Sequence, residues 1–165
     1  FLMGPLVLYT KAGNNVTIPT TNDQTEFFKQ LQSYRFGVVA GYTNVPAFDN
    51  NNQLIKKQVD TDRENLEQLY NGKVDFILID KLNAQYILAN ELPASYRQEL
   101  KPVGPLLAKV GLYIIFSTKV RNANQLDADF NAGLKKIQEA HMVNNIMQKY
   151  VYDFLDKENL PRKES

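Results

Sequence analysis

The sequence predicts an α/β protein, a three-layer sandwich built on a mostly parallel sheet. Three observations predict it. Short β-prone runs alternate with amphipathic helical stretches along most of the chain. One run, Val74 to Ile79, is almost continuously apolar, as strands buried on both faces of a parallel sheet are. The 165 residues, 44% apolar and 22% charged, suffice for one domain with a sizeable core.

The elements follow in order. Leu6 to Thr10 is a short strand, closed by the turn Lys11-Ala12-Gly13-Asn14-Asn15. Thr21-Asn22-Asp23 offers caps for a helix whose apolar face is Phe27, Leu31 and Tyr34, widened by Phe28. Phe36 to Ala40 is a second strand, ended by Gly41, and Lys56 to Val59 a weak third. Thr61-Asp62-Arg63-Glu64 is a capping box, opening a helix with Leu66, Leu69 and Tyr70 on its apolar side and Asn71-Gly72 as its stop. The strand Val74 to Ile79 ends at Asp80, which can cap a helix carrying Leu82, Tyr86 and Ala89 at i, i+4, i+7. After three prolines, with a short strand at Lys101 to Leu106, Gly111 to Phe116 is the last strand. Two helical stripes close the chain: Leu126, Phe130, Leu134 and Ile137, then Met142, Ile146, Met147 and Tyr150. The polar tail from Lys157 to Ser165 is expected to fray.

Composition narrows the function. With 19 basic and 18 acidic side chains the net charge is +1, so no basic field is available to hold a nucleic-acid backbone. The absence of cysteine removes disulfides, thiolate metal sites and a cysteine nucleophile. No apolar run approaches the ~18 residues that a membrane-spanning helix needs. Phe1-Leu2-Met3-Gly4 has neither the basic start nor the apolar middle of a signal peptide, so the chain is expected to begin inside a larger precursor. His141, the one histidine, lies between helical stripes with no second ligand at metal spacing. Asp60, Asp62, Glu64 and Glu67 read as caps and a solvated helix face rather than a calcium loop. No serine sits in a nucleophile elbow, and no phosphate loop is present. No metal, no cofactor and no catalysis are expected.

In sheets of this kind ligands bind beyond the carboxyl ends of the strands. The rule points to Val39, Gly41, Tyr42, Thr43 and Asn44 at the second strand, and to Asp80 at the fourth. A helix start at Asn44 to Phe48, with Pro46 in its first turn and the Thr43 hydroxyl beside it, suits a carboxylate. Asp80, delivered by a buried strand to the rim, suits an ammonium group. Helix capping alone also accounts for Thr43 and for Asp80. Together the two ends form a zwitterion trap, and an α-amino acid is the simplest ligand carrying both charges.

Several stretches then carry a family resemblance. Arg35 to Thr43 is similar to the "GV..G(S/T)T" strand and turn of the polar-amino-acid class of extracellular solute-binding proteins, solute-binding family 3. Glu64 to Asp80 resembles that family's "al..L..G.vDa.i.D" block, Gly111 to Ser117 its late strand, and Leu126 to Tyr150 its closing helices. Gly4 to Tyr9 looks like the segment entering its second lobe. The resemblance implies a type II periplasmic-binding-protein lobe, with 1–120 as the second-lobe domain and 121–165 as helices returning toward a first lobe. It implies a periplasmic clamp that hands a small polar solute, an amino acid, to the permease of an ABC transporter. It also implies that Thr43 helps hold the ligand carboxylate and that Asp80 holds the α-amino group. Two residues depart from the pattern: Tyr42 replaces a small Ser or Thr, and Ala140-His141 replaces Asp-Gly. The first lobe, with its arginine and aromatic side chains, has no counterpart in this chain. The lobe alone is therefore expected to bind weakly and to self-associate through the apolar surface that the first lobe would cover.

Two other functions stay open on the sequence. A sensor domain of a membrane signalling receptor uses the same clamp and continues into a membrane helix; the polar end after Leu160 favours a chain that stops. An enzyme on this fold needs an acid–base pair at the cleft, where only Asp80 is evident.

Overall fold

The computed structural model of the protein describes residues 2–149. Tyr150 and the tail from Lys157 lie outside them. Met3–Gly111 form one compact unit, and the residues from Leu112 on belong to a second.

The first unit is a five-stranded sheet with helices on both faces. Its strands are β1 (Leu2–Lys11), β2 (Arg35–Val39), β3 (Ile55–Val59), β4 (Phe76–Asp80) and β5 (Leu100–Leu112), in the spatial order β3-β2-β4-β1-β5. β2 runs parallel to both β3 and β4, whereas β1 lies antiparallel to β4 with Leu6 opposite Asp80. The sheet is therefore mixed, with a parallel half that carries the strand ends of interest. β5 is longer than the sequence pattern indicates: it absorbs the Lys101 to Leu106 run and ends at Leu112, so residues 113–116 are not strand.

Alternation across the pleat sorts the core into two layers. Leu6 and Leu8 of β1 and Phe76 and Leu78 of β4 face α1 (Gln24–Gln30) and α2 (Pro46–Asp49). Val7 and Tyr9, with Ile77 and Ile79, face α3 (Asp62–Tyr70) and α4 (Lys81–Asn90). Five buried phenylalanines, Phe27, Phe28, Phe36, Phe48 and Phe76, fill the first layer. Phe28 lies 5.2 Å from Phe48, and Phe36 5.6 Å from Phe76, between ring centroids. Burying one such ring is worth ~2–3 kcal/mol, so the five together are a large part of what holds α1 and α2 on this face of the sheet. β3, at the sheet edge, carries Lys56 and Lys57, charges that discourage pairing with another chain.

Helix phase departs from the sequence reading in one place. α4 buries Ala84, Ile87 and Leu88, while Tyr86 is exposed and Leu82 and Ala89 are half-buried. The helix is apolar around much of its circumference, so periodicity alone leaves its phase open. The Asp80 cap fixes where the first turn begins, and packing against the sheet selects the side that is buried.

The second unit contains α6 (Ala123–Glu139) and α7 (Met142–Met147); α5 (Ala94–Glu99) belongs to the first. No residue of α6 or α7 is buried. Phe130, Leu134, Val143 and Met147 are half-buried, Phe130 stacks edge-on against Phe116 at 5.9 Å, and Leu126, Ile137 and Ile146 are exposed. His141 forms the turn between the helices in the left-handed conformation, φ 55°.

Candidate functional site

Because β3, β2 and β4 are adjacent and parallel, their carboxyl ends share one edge of the sheet. That geometry brings three chain turns together: residues 40–45 after β2, residues 60–62 after β3, and Asp80 at the end of β4.

The turn after β2 begins at Gly41, whose φ of 76° is open to glycine and strained for other residues. Val39, Gly41, Tyr42, Thr43 and Asn44 line a recess of about 450 Å³ together with Lys56 and Gln58. The helix that follows is a single turn. Asp49 at its end reaches back to accept the Asn44 backbone N–H at 2.8 Å and the Asn44 side-chain amide at 3.2 Å. The donors of Asn44 are thus already engaged with a carboxylate of the chain itself. Thr43 is exposed. Lys56 donates to the Phe48 and Asp49 carbonyls at 2.7 and 3.0 Å and lies over the Phe48 ring, tying β3 to the far side of the recess.

Asp80 divides its carboxylate. Oδ1 accepts the backbone N–H groups of Leu82 (2.8 Å) and Asn83 (3.0 Å), capping α4. Among the described residues Oδ2 accepts no hydrogen bond; it lies against the backbone of Gly4, where any side chain would collide with it. Gly4 on β1 therefore makes room for the second oxygen. The Asp80 charge also reaches Tyr9, whose hydroxyl is pushed up to about 12 by burial and then by that carboxylate.

Asp62 is the residue that sequence reasoning placed on a solvated helix face, and the structure corrects it. Its side chain is buried, 9% exposed. Oδ2 accepts the Asn83 side-chain amide at 2.8 Å and the Tyr42 hydroxyl at 3.3 Å. Oδ1 is buried without a hydrogen-bond partner among the described residues. Desolvation raises the Asp62 carboxyl above the ordinary aspartate value; the Tyr42 and Asn83 hydrogen bonds oppose the rise and the Asp80 charge adds to it. Tyr42 is raised in turn, chiefly by the Asp62 charge. The signal for Asp62 was available: it follows a parallel strand by the same rule that selected Thr43 and Asp80. The capping-box pattern masked it, because Glu64 and Thr61 fulfil the box and Asp62 does not.

Of the six residues selected from sequence, five thus line one recess and Asp80 stands at the end of the neighbouring strand. Tyr42 connects the two groups, since its hydroxyl meets Asp62, and Asp62 meets Asn83 on the helix that Asp80 caps.

A two-faced sheet with a site at the carboxyl ends of its parallel strands is the lobe architecture of solute-binding proteins. Comparison with solved structures gives the same fold. The chain is similar to a protein from work on glutathione import via GshT and the cystine ABC importer TcyBC of Streptococcus mutans (TM-score 0.67, 23% identity, 90% of this chain and 59% of that one). It is similar to a mutant of ArgBP from T. maritima (0.66, 14%, 91% and 58%). It is also similar to ytmK of Bacillus subtilis, a probable amino-acid ABC transporter extracellular-binding protein (0.66, 15%, 90% and 60%). The chain has the fold of amino-acid solute-binding proteins of ABC importers, and it spans about three-fifths of the length of these structures. It matches no protein-family model, and no curated protein is similar to it in sequence.

Proposed function

We propose that this chain is the second lobe of a two-lobed clamp that binds a small polar solute, an amino acid, outside the cytoplasmic membrane and delivers it to an ABC permease. The observation that carries the reading is the shared edge: the Gly41–Asn44 turn and Asp80 lie at the carboxyl ends of adjacent parallel strands. Thr43 then offers a hydroxyl to the solute carboxylate, and Asp80 Oδ2 offers a charged acceptor to its α-amino group. Asn44, engaged with Asp49, supports the turn rather than donating to the solute. Val39 and Gly41 shape the floor. The role is binding without chemistry, and the location is periplasmic. The exposed stripe Leu126, Ile137 and Ile146 is the surface that the first lobe would cover. Alone, the lobe would use that stripe for self-association.

Titration calorimetry of the full-length protein against the common L-amino acids and their decarboxylated amines tests the reading. Binding of at least one amino acid, lost when either its carboxylate or its α-amino group is removed, is the expected result. Binding that tolerates loss of either charge would overturn the zwitterion trap.

A further inference from the structure

The carboxyl edge of the sheet holds one acidic group more than a single α-amino group needs. The N-terminus of α3 is already capped: Thr61 Oγ1 accepts the Glu64 N–H at 3.1 Å, and Glu64 accepts the Asp60 N–H at 3.2 Å. Asp62 is therefore surplus to capping, and its carboxylate turns inward toward Tyr42 and Asn83 instead. Asn83 ties it to Asp80, because its backbone N–H goes to Asp80 and its side-chain amide to Asp62. Two carboxylates are thus held within the span of one asparagine.

Among the described residues no cation acts on Asp62: what acts on it is burial, Tyr42, Asn83 and Asp80. One carboxylate oxygen, Oδ1, is buried with no donor among the described residues. A buried carboxylate left so is costly unless something supplies charge and hydrogen bonds. Beside it stands Tyr42, 58% exposed, on a glycine-hinged turn and held to Asp62 by one 3.3 Å contact. Its ring forms an apolar wall that leads from the Thr43 turn to Asp62.

We infer that Asp62 is a second anionic anchor of this site, and that the solute is an amino acid with a cationic side chain. The inference rests on the solute-binding reading and sharpens it. With Asp80 on the α-amino group, an alkyl stem lies along the Tyr42 ring, the ring face favours the approaching cation, and the side-chain ammonium or guanidinium displaces the Tyr42 hydroxyl and supplies the donors that Asp62 lacks. The side-chain cation offsets the Asp62 charge, as the α-amino group offsets that of Asp80.

The test compares L-lysine with L-norleucine, which has the same carbon chain without the ε-ammonium, by titration calorimetry on the full-length protein and its D62N variant. Lysine should bind at least about tenfold more tightly than norleucine, and in D62N its affinity should fall to the norleucine level. The melting temperature of D62N at neutral pH, expected to rise as a buried charge is removed, shows that the variant is folded. Equal affinities in the unaltered protein, or a lysine preference that survives in D62N, overturn the role of Asp62 while leaving solute binding in place. Failure of every amino acid to bind removes the solute-binding reading itself, and this inference with it.

Discussion

Asp80 is asked to do two things with two oxygens, and a single substitution separates them. In Asp80→Asn the side-chain oxygen can still accept from Leu82 and Asn83 at the 2.8 and 3.0 Å now seen, because asparagine caps helices as well as aspartate does. Stability should change by less than about 0.5 kcal/mol. Asp80→Ala deletes the cap and should cost ~1 kcal/mol, a fall of roughly 2–4 °C in melting temperature for a chain of this size. The effect on binding is different in kind. A charge-assisted hydrogen bond to an ammonium is worth ~1.5–3 kcal/mol, and the asparagine variant places an amide donor where Oδ2 accepted. At 1.4 kcal/mol per decade the loss is roughly 10- to 150-fold in affinity. Urea denaturation measures the first quantity and calorimetry with the best amino-acid ligand the second, both on the full-length protein. An asparagine variant that keeps its affinity within about twofold refutes the ammonium role, and one that unfolds refutes the division of the two oxygens.

Other expectations follow from the same geometry. Gly4→Ala keeps every charge but drives a methyl into Asp80 Oδ2, so it should weaken amino-acid binding with little loss of helix content by circular dichroism; unchanged affinity would show that Oδ2 is not the contact. The Asp75 carboxyl is held below its ordinary value of 3.8, first by the Arg35 side-chain hydrogen bonds, of 3.0 and 2.8 Å, with the Arg35 backbone N–H adding to them. Its folded value is depressed, so its contribution is present above 3.8 and is lost as pH falls through the lower folded value. Asp75→Asn should cost ~1–2 kcal/mol at pH 7, held down by solvent screening of the half-exposed Arg35, and the difference from the parent should vanish in strong acid; a pH series of urea melts checks both. His141→Gly should stabilise the second unit by about 0.5–1 kcal/mol, because φ 55° costs an L-residue what glycine avoids; an unchanged or lower melting temperature would show that the turn is not strained.

The fold class and the element order up to α4 were legible in the sequence; α5 (Ala94–Glu99) and the single long β5 were not. Alternation of strands and helices, and a strand as apolar as Phe76–Ile79, have few folded solutions, because a sheet covered on both faces is the one that buries them. The strand-end rule then selected Thr43 and Asp80 as candidates, and the structure places them after or at the carboxyl ends of adjacent parallel strands. The left-handed turn at His141 was not legible, because Ala140-His141 departs from the Asp-Gly pattern at that point and only the structure shows the backbone there. What local pattern leaves undetermined is how a residue is used once neighbours arrive. Asp62 sits in a capping motif and looks solvated, yet the strand order places its carboxylate between Tyr42, 20 residues before it, and Asn83, 21 residues after it. Asn44 looks like a donor for a ligand until Asp49 folds back onto it. The phase of α4 belongs to the same group, because several of its sides are apolar and only the sheet selects one. Hydrogen bonds and periodicity within a turn or two are written into the sequence; burial, and the charge balance that burial imposes, arise only when distant segments close over one another.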